Sequence, residues 1–489
     1  MSGQAAARDL RPTGSALAVS SRWSVDTQDV QTSVDPARRW AVVTLFVIGG
    51  YMVLQRSFAY LLSVPGVPVY VGEVLLLAFF VLHPGVSIRR LLEALLHWSP
   101  LSPVAWAMFL LLEYGVVLAL RGYLSSYPSL FVFQELVFNV YPLYIVLGLW
   151  LAERDPRLLQ RFVITMSWVT GIYGMLYLVF LNRSALVVPG TGLALFRGPL
   201  AQGAMILALL AFRPKGARMW VPVVLNLLVL VGIQNRAAYA GFLVGLLVWT
   251  LMSKRIGRTA LILSLIALLL AVGWLLDVRI EFSRGASEYS AGNVIAAVVA
   301  PFDEEAAARF SSDARGFAGT VEWRQAWWAG IWDATNADVV RTAVGTGYGF
   351  ELSSDAVLRS SDPLLRTPHN WFMYTLGYGG WLGVTLFVFL LVALASLLWR
   401  ADRITGAPFG VPFLAFSTTV ATFSNFYETP FAAIPVWVIA GMAIAPAVRA
   451  AANPQAADVR RHATRDPFRR RSASVFRRAE GHRESWGTP

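Results

Sequence analysis

The sequence predicts an all-α, polytopic membrane protein with about twelve transmembrane helices and one long external loop between the ninth and tenth spans. Three observations predict it. Of 489 residues, 56% are hydrophobic and 14% charged, with a mean hydropathy of +0.56. Apolar runs long enough to cross roughly 30 Å of hydrocarbon recur along the chain. Arginines collect in alternate loops, as the cytoplasmic loops of a multi-pass protein do. A soluble multidomain enzyme is excluded by the composition.

Residues 1–39 are polar, mixed in charge and without the short apolar core of a cleaved leader, which reads as a disordered cytoplasmic tail. The first nine apolar runs lie near residues 40–55, 66–83, 103–121, 129–151, 162–181, 196–212, 218–233, 237–252 and 259–276. Three more follow near 380–399, 408–424 and 430–448. Arg89 with Arg90, Arg154 with Arg157, Arg213 to Arg218, Lys254 to Arg258 and Arg400 with Arg403 fall on one side of this zigzag, together with both termini. That side is the expected cytoplasm. Residues 278–368 then form a long external segment, and His369 is external.

No cysteine is present, so that segment is ordered by packing and by the membrane rather than by disulfides. Val321, Trp323, Trp327, Trp328, Ile331 and Trp332 recur in it at helical spacing. The pattern favours an amphipathic helix in the headgroup layer over a packed helix of a small external domain. Gly345-Thr346-Gly347-Tyr348-Gly349 reads as a loop that brings backbone close to something; with no GxxxxGKS/T run it is not a phosphate-binding motif. Residues 449–489 are arginine-dense and read as a disordered cytoplasmic tail that attracts anionic lipid, with no nucleic-acid partner inferred from the net charge of +12.

The sharpest chemical signal is Pro368-His369-Asn370, followed by nine residues, Gly380, two residues and Gly383, running into an apolar span. A histidine at the lip of a membrane helix can orient or deprotonate a substrate whose head lies at the bilayer surface; it can also simply cap the helix. Asn370 fits a capping residue that positions His369. Arg197, Arg236 and Arg324 break the positive-inside pattern by falling on the same outer side, where guanidinium groups make paired hydrogen bonds to phosphate oxygens. Glu73, Glu113 and Glu135 are placed seven to nine residues inside spans, about 10 to 14 Å deep. With Gln202, and with Glu428 in the last external loop, they are candidates to line a polar cavity open to the outside.

His369-Asn370 with Gly380 and Gly383 resembles the signature of the O-antigen ligase and O-antigen polymerase superfamily of bacterial membrane glycosyltransferases. Arg197-Gly198, Gln234-Asn235-Arg236, Arg324 and the glycine run at 345–349 resemble further elements of it. Two positions depart: Tyr378 stands where glutamate is common, and Ala237 follows Arg236 where glycine is usual. The resemblance implies an inverting transfer of a glycan from a polyprenyl-diphosphate carrier to an acceptor hydroxyl on a glycan or glycolipid, at the outer face of a bacterial cytoplasmic membrane. Arg197, Arg236 and Arg324 would hold the diphosphate, and His369 would act on the acceptor. No DxD or HExxH occurs, the five histidines are scattered, and the segment Gln55 to Gly66 carries no carboxylate, so no metal and no cofactor is expected. A secondary transporter of an anionic or glycan-lipid substrate is the competing class; such carriers usually show two similar halves, and no internal repeat is visible here. Polymerase and ligase need the same donor clamp, and the residues do not separate them.

Overall fold

The computed structural model describes residues 36–63, 69–280, 290–352 and 367–453. The tails expected at 1–39 and 449–489 lie almost wholly outside the described residues. Among those described, the chain is all-helical apart from one isolated bridge between Val187 and Ala194. Each of the apolar runs contains a helix. Among the described residues seven helices are long and apolar enough to cross a membrane, or eight if the pair Val71–Leu82 and Pro84–Leu96, bent by 86°, is one broken span. This is a multi-pass membrane protein. The expected count of twelve goes further than these lengths do, because Gln202–Phe212, Ala217–Ile233 and Gly410–Thr422 are short. Eleven residues in the first of them rise only about 16 Å, half of a hydrocarbon core.

The centre of the bundle is the helix Pro430–Ala452, buried over most of its length against Tyr144–Arg154, Trp371–Thr405 and Pro36–Leu54. Two glycines allow that packing. A Cβ on Gly148 would come 2.1 Å from the Val438 carbonyl oxygen, and one on Gly441 would come 2.2 Å from that of Ile145. The two backbones therefore touch directly, the close approach that small residues permit between membrane helices.

Contacts tie several segments together. Arg90 pairs with Glu153 at 2.6 Å, Arg449 donates to the Ala152 carbonyl at 2.8 Å, and Arg213 lies within Coulombic reach of Arg255 and Arg258. Elsewhere, Ser57 donates to the Ala194 carbonyl at 2.6 Å, and Gly198 packs against Ile233, three residues before Arg236.

Two helices position the site. The arginine helix, Ala314–Thr335, carries the tryptophan stripe; part of it packs on protein, and Trp332 is 42% exposed. Trp327 and Ile331 are fully buried, the Trp327 indole donates to the Leu352 carbonyl at 3.0 Å, and the Trp328 indole donates to the Pro368 carbonyl at 2.8 Å. A protein surface takes up both the apolar area and the N–H groups that headgroups would otherwise satisfy. The kinked helix, Trp371–Thr405, breaks at Gly380, which sits at φ 60°, ψ −165°. The nine residues between Asn370 and Gly380 are thus a short helix about 13 Å long, set at an angle to the span that follows.

Candidate active site

The kink is held from outside by the glycine run. Thr346 N–H donates to the Gly377 carbonyl at 2.9 Å and Gly347 N–H to that of Tyr378 at 3.0 Å. A Cβ on Gly345 would lie 2.3 Å from the Tyr378 carbonyl oxygen, and one on Gly380 would lie 2.5 Å from the Gly345 nitrogen. The expected close approach is therefore of the 345–349 loop onto the kink itself. Below it, a buried polar cluster ties both to the helices Ser102–Leu124 and Ser129–Val140. Glu135 accepts from the Tyr378 hydroxyl at 2.7 Å and from the Gly349 N–H at 2.5 Å, while Tyr348 donates to the Asn139 amide at 2.9 Å and Tyr114 to the Gly379 carbonyl at 2.7 Å.

Asn370 is the N-cap of the kinked helix, its side-chain oxygen accepting from Phe372 N–H at 2.9 Å and Met373 N–H at 3.2 Å, as its position predicts. Capping duty falls to Asn370 and leaves the His369 ring available. His369 stands at φ 51°, a strained conformation for a residue with a Cβ, and is half-buried. Its ring faces the Asn425 side chain in the loop between Gly410–Thr422 and Pro430–Ala452. Burial, reinforced by the charge of Arg324, lowers its pKa to about 4, so the imidazole is neutral at pH 7 and can accept a proton.

Arg324 donates to the Phe423 carbonyl at 3.3 Å from one Nη, while its Nε is buried without a partner. Burial pulls its pKa below the usual arginine value, yet a guanidinium stays a cation. Arg236, the first residue of the helix Arg236–Ser253, donates to the Phe317 carbonyl at 3.0 Å and to the Thr320 hydroxyl, one to two turns up the arginine helix, and feels the charge of Arg324. Two cations and a neutral histidine are thus gathered together. Arg197 is not shown against them: its segment is anchored by the Tyr173 hydroxyl, which donates to its carbonyl at 2.9 Å, and Gly198 packs on Ile233, three residues before Arg236.

The carboxylates divide. Glu428 sits in the same loop as Asn425, with both oxygens buried and without a partner at hydrogen-bond geometry. Thr367 and the Asn370 N–H are near enough to favour its charged form, but burial outweighs them and pushes its carboxyl well above the ordinary range. Glu135 is the buried node described above rather than a cavity wall. Glu73 is not deep in a span: it lies in the first turn of Val71–Leu82, accepts from the Tyr70 N–H at 3.1 Å and the Tyr141 hydroxyl at 3.0 Å, and serves as a cap. Glu113 is exposed on Ser102–Leu124. One substitution of phase explains it: Tyr114, the next residue, takes the inward position. Gln202 is buried in the first turn of Gln202–Phe212, its amide nitrogen without a partner. Among the described residues no three His, Asp or Glu side chains group as a metal site requires.

Residues 221–388 match the family model of the O-antigen ligases. The chain carries an O-antigen ligase domain. The matched stretch takes in Arg236, Arg324, the glycine run at 345–349, His369, Asn370, Gly380 and Gly383, which carried the resemblance, and leaves out Arg197-Gly198, which also carried it. The domain implies a glycosyltransferase with lipid-linked glycans as substrates. No curated protein matches the chain. Asn425 and Glu428 lie beyond the matched O-antigen ligase stretch and complete its histidine face. Asn425 was missed in the sequence; a polar residue in a very short external loop was the available signal.

Proposed function

We propose that the protein transfers a glycan from a polyprenyl-diphosphate carrier to an acceptor hydroxyl at the outer face of a bacterial cytoplasmic membrane, with inversion at the anomeric carbon and without a metal ion. The observation that carries this reading is the gathering of Arg236 and Arg324 beside a neutral His369. In this reading the two guanidinium groups, with Arg197, hold the diphosphate and take up the charge that grows on it as the glycosidic C–O bond breaks. The acceptor oxygen attacks the anomeric carbon from the opposite side, and its proton passes to His369, which Asn425 orients. The carrier diphosphate leaves as an anion already paired with arginine, so no divalent cation is needed to stabilise it.

The test uses purified wild-type and His369→Ala protein with polyprenyl-diphosphate oligosaccharide, with and without envelope glycans as acceptors, in the presence of EDTA. A ladder on the carrier that needs His369 marks a polymerase; product that needs a second acceptor marks a ligase. Donor bound but never consumed overturns the transferase reading, and loss of activity in EDTA that added divalent metal restores overturns the metal-free one.

A further inference from the structure

We propose that a cavity at the head of the arginine helix is a glycan subsite that holds a neutral, hydroxyl-rich segment of the oligosaccharide, remote from the reacting sugar; this rests on the transferase reading above. The cavity measures about 560 Å³ and lies between the end of the helix Ile256–Leu275, the start of Ala291–Val299 and the turn that leads into the arginine helix. That volume suits a small ligand or a short stretch of sugars.

Its lining has the chemistry of carbohydrate recognition. Trp274 and Phe310 meet edge to face at 6.1 Å, and Trp274 is 51% exposed. An open indole face offers a flat apolar surface for the C–H face of a pyranose ring. Both carboxylate oxygens of Asp277 accept from the Arg279 Nε at 3.0 Å, in an exposed pair whose guanidinium brings donors to the cavity region. Asp313 stands at the N-cap of the arginine helix but makes no cap hydrogen bond, so its carboxylate remains an acceptor for hydroxyl groups. Asn293 is buried in the wall and already engaged by the Ser311 hydroxyl. Two carboxylates against one guanidinium disfavour a phosphate or an acidic sugar, and leave a neutral polyol as the fitting ligand.

Position argues for the same occupant. Arg324 follows Asp313 by eleven residues of helix, a rise of about 16 Å, and Phe317 and Thr320, which bind Arg236, lie between. A carrier whose diphosphate sits on the arginines would lay its distal sugars along this helix toward the cavity. The cavity is thus expected to read the chain some units from the bond being made.

The experiment takes the full chain in nanodiscs with two probes. The first is the oligosaccharide freed by mild acid from the organism's own carrier lipid, followed by saturation-transfer NMR. Wild type and His369→Ala are expected to bind it; Trp274→Ala and Asp313→Asn weaken it by about tenfold, and Trp274→Tyr, which keeps a ring, weakens it less. The second is turnover with a carrier bearing one sugar or the whole oligosaccharide. Trp274→Ala is expected to raise KM about tenfold for the whole-glycan donor and to leave the one-sugar donor unchanged; a rise in acceptor KM instead assigns the subsite to the acceptor glycan. Equal oligosaccharide binding by wild type, Trp274→Ala and Asp313→Asn overturns the proposal. Binding that depends on Trp274 in a protein that transfers nothing keeps the subsite and removes the transferase reading.

Discussion

The Tyr378 hydroxyl donates to Oε1 of Glu135 at 2.7 Å, joining residues 243 positions apart in the chain. The other oxygen of the same carboxylate accepts from the Gly349 N–H. One buried glutamate therefore fixes both the short helix that begins at Asn370 and the glycine loop that clamps its kink. Tyr378, read in the sequence as a departure from the family pattern, brings a carboxylate to its position from another helix. Replacing it by phenylalanine removes one hydrogen bond from a buried carboxylate, at a cost of about 1–3 kcal/mol. A lower melting temperature in detergent and reduced transfer are expected for Tyr378→Phe; an unchanged melting temperature would show that the link does not hold the kink.

Gly380→Ala should damage the site more than Gly406→Ala. Both glycines have φ near 60–65°, but a Cβ at Gly380 meets the Gly345 nitrogen at 2.5 Å, whereas nothing lies within 4 Å of one at Gly406. The second variant bears only the backbone cost of about 1–2 kcal/mol, and the first must also push the 345–349 loop off the kink. Thermal unfolding of the two variants side by side, with donor turnover, separates the two effects.

His369 gives a signed pH dependence. Its folded pKa of about 4 lies below the ordinary 6.5, so between those values the unfolded chain binds the proton first. Stability contributed by the neutral imidazole is complete above pH 6.5 and is lost as pH falls toward 4. Glu428, whose carboxyl is raised, acts oppositely and loses stability as pH climbs above the ordinary glutamate value. Wild type should therefore lose more stability than His369→Gln between pH 7.5 and 4.5. In turnover, the acidic limb of kcat/KM for donor that vanishes in that variant is expected nearer pH 4 than 6.5.

Asn370→Ala removes an N-cap that satisfies two N–H groups, at about 1 kcal/mol. Asn370→Asp and Asn370→Ser retain an acceptor and should restore most of the melting temperature. Activity in those two variants reports whether capping is all that Asn370 supplies.

Glu113→Gln tests whether this exposed carboxylate takes part in the reaction. The side chain is exposed, so stability should change by less than about 0.5 kcal/mol and turnover should not change. A fall in kcat would place Glu113 on the reaction path.

Features under the control of composition and local pattern were legible in the linear chain. Hydropathy set the membrane class and the run of helices, and Asn370 before an apolar segment announced a cap. The spacing from His369 to Gly380 announced a helix and a bend, because capping chemistry and glycine's tolerance of positive φ act within a few residues. Only the tertiary structure decided which side chains face which. A glutamate one residue out of phase with the packing is exposed, as Glu113 is, and no linear pattern showed that Glu135 would meet Tyr378. The tryptophan stripe of the arginine helix has the same spacing whether it meets lipid headgroups or protein. The bonds of Trp327 to Leu352 and of Trp328 to Pro368 depend on contacts that only the folded chain supplies.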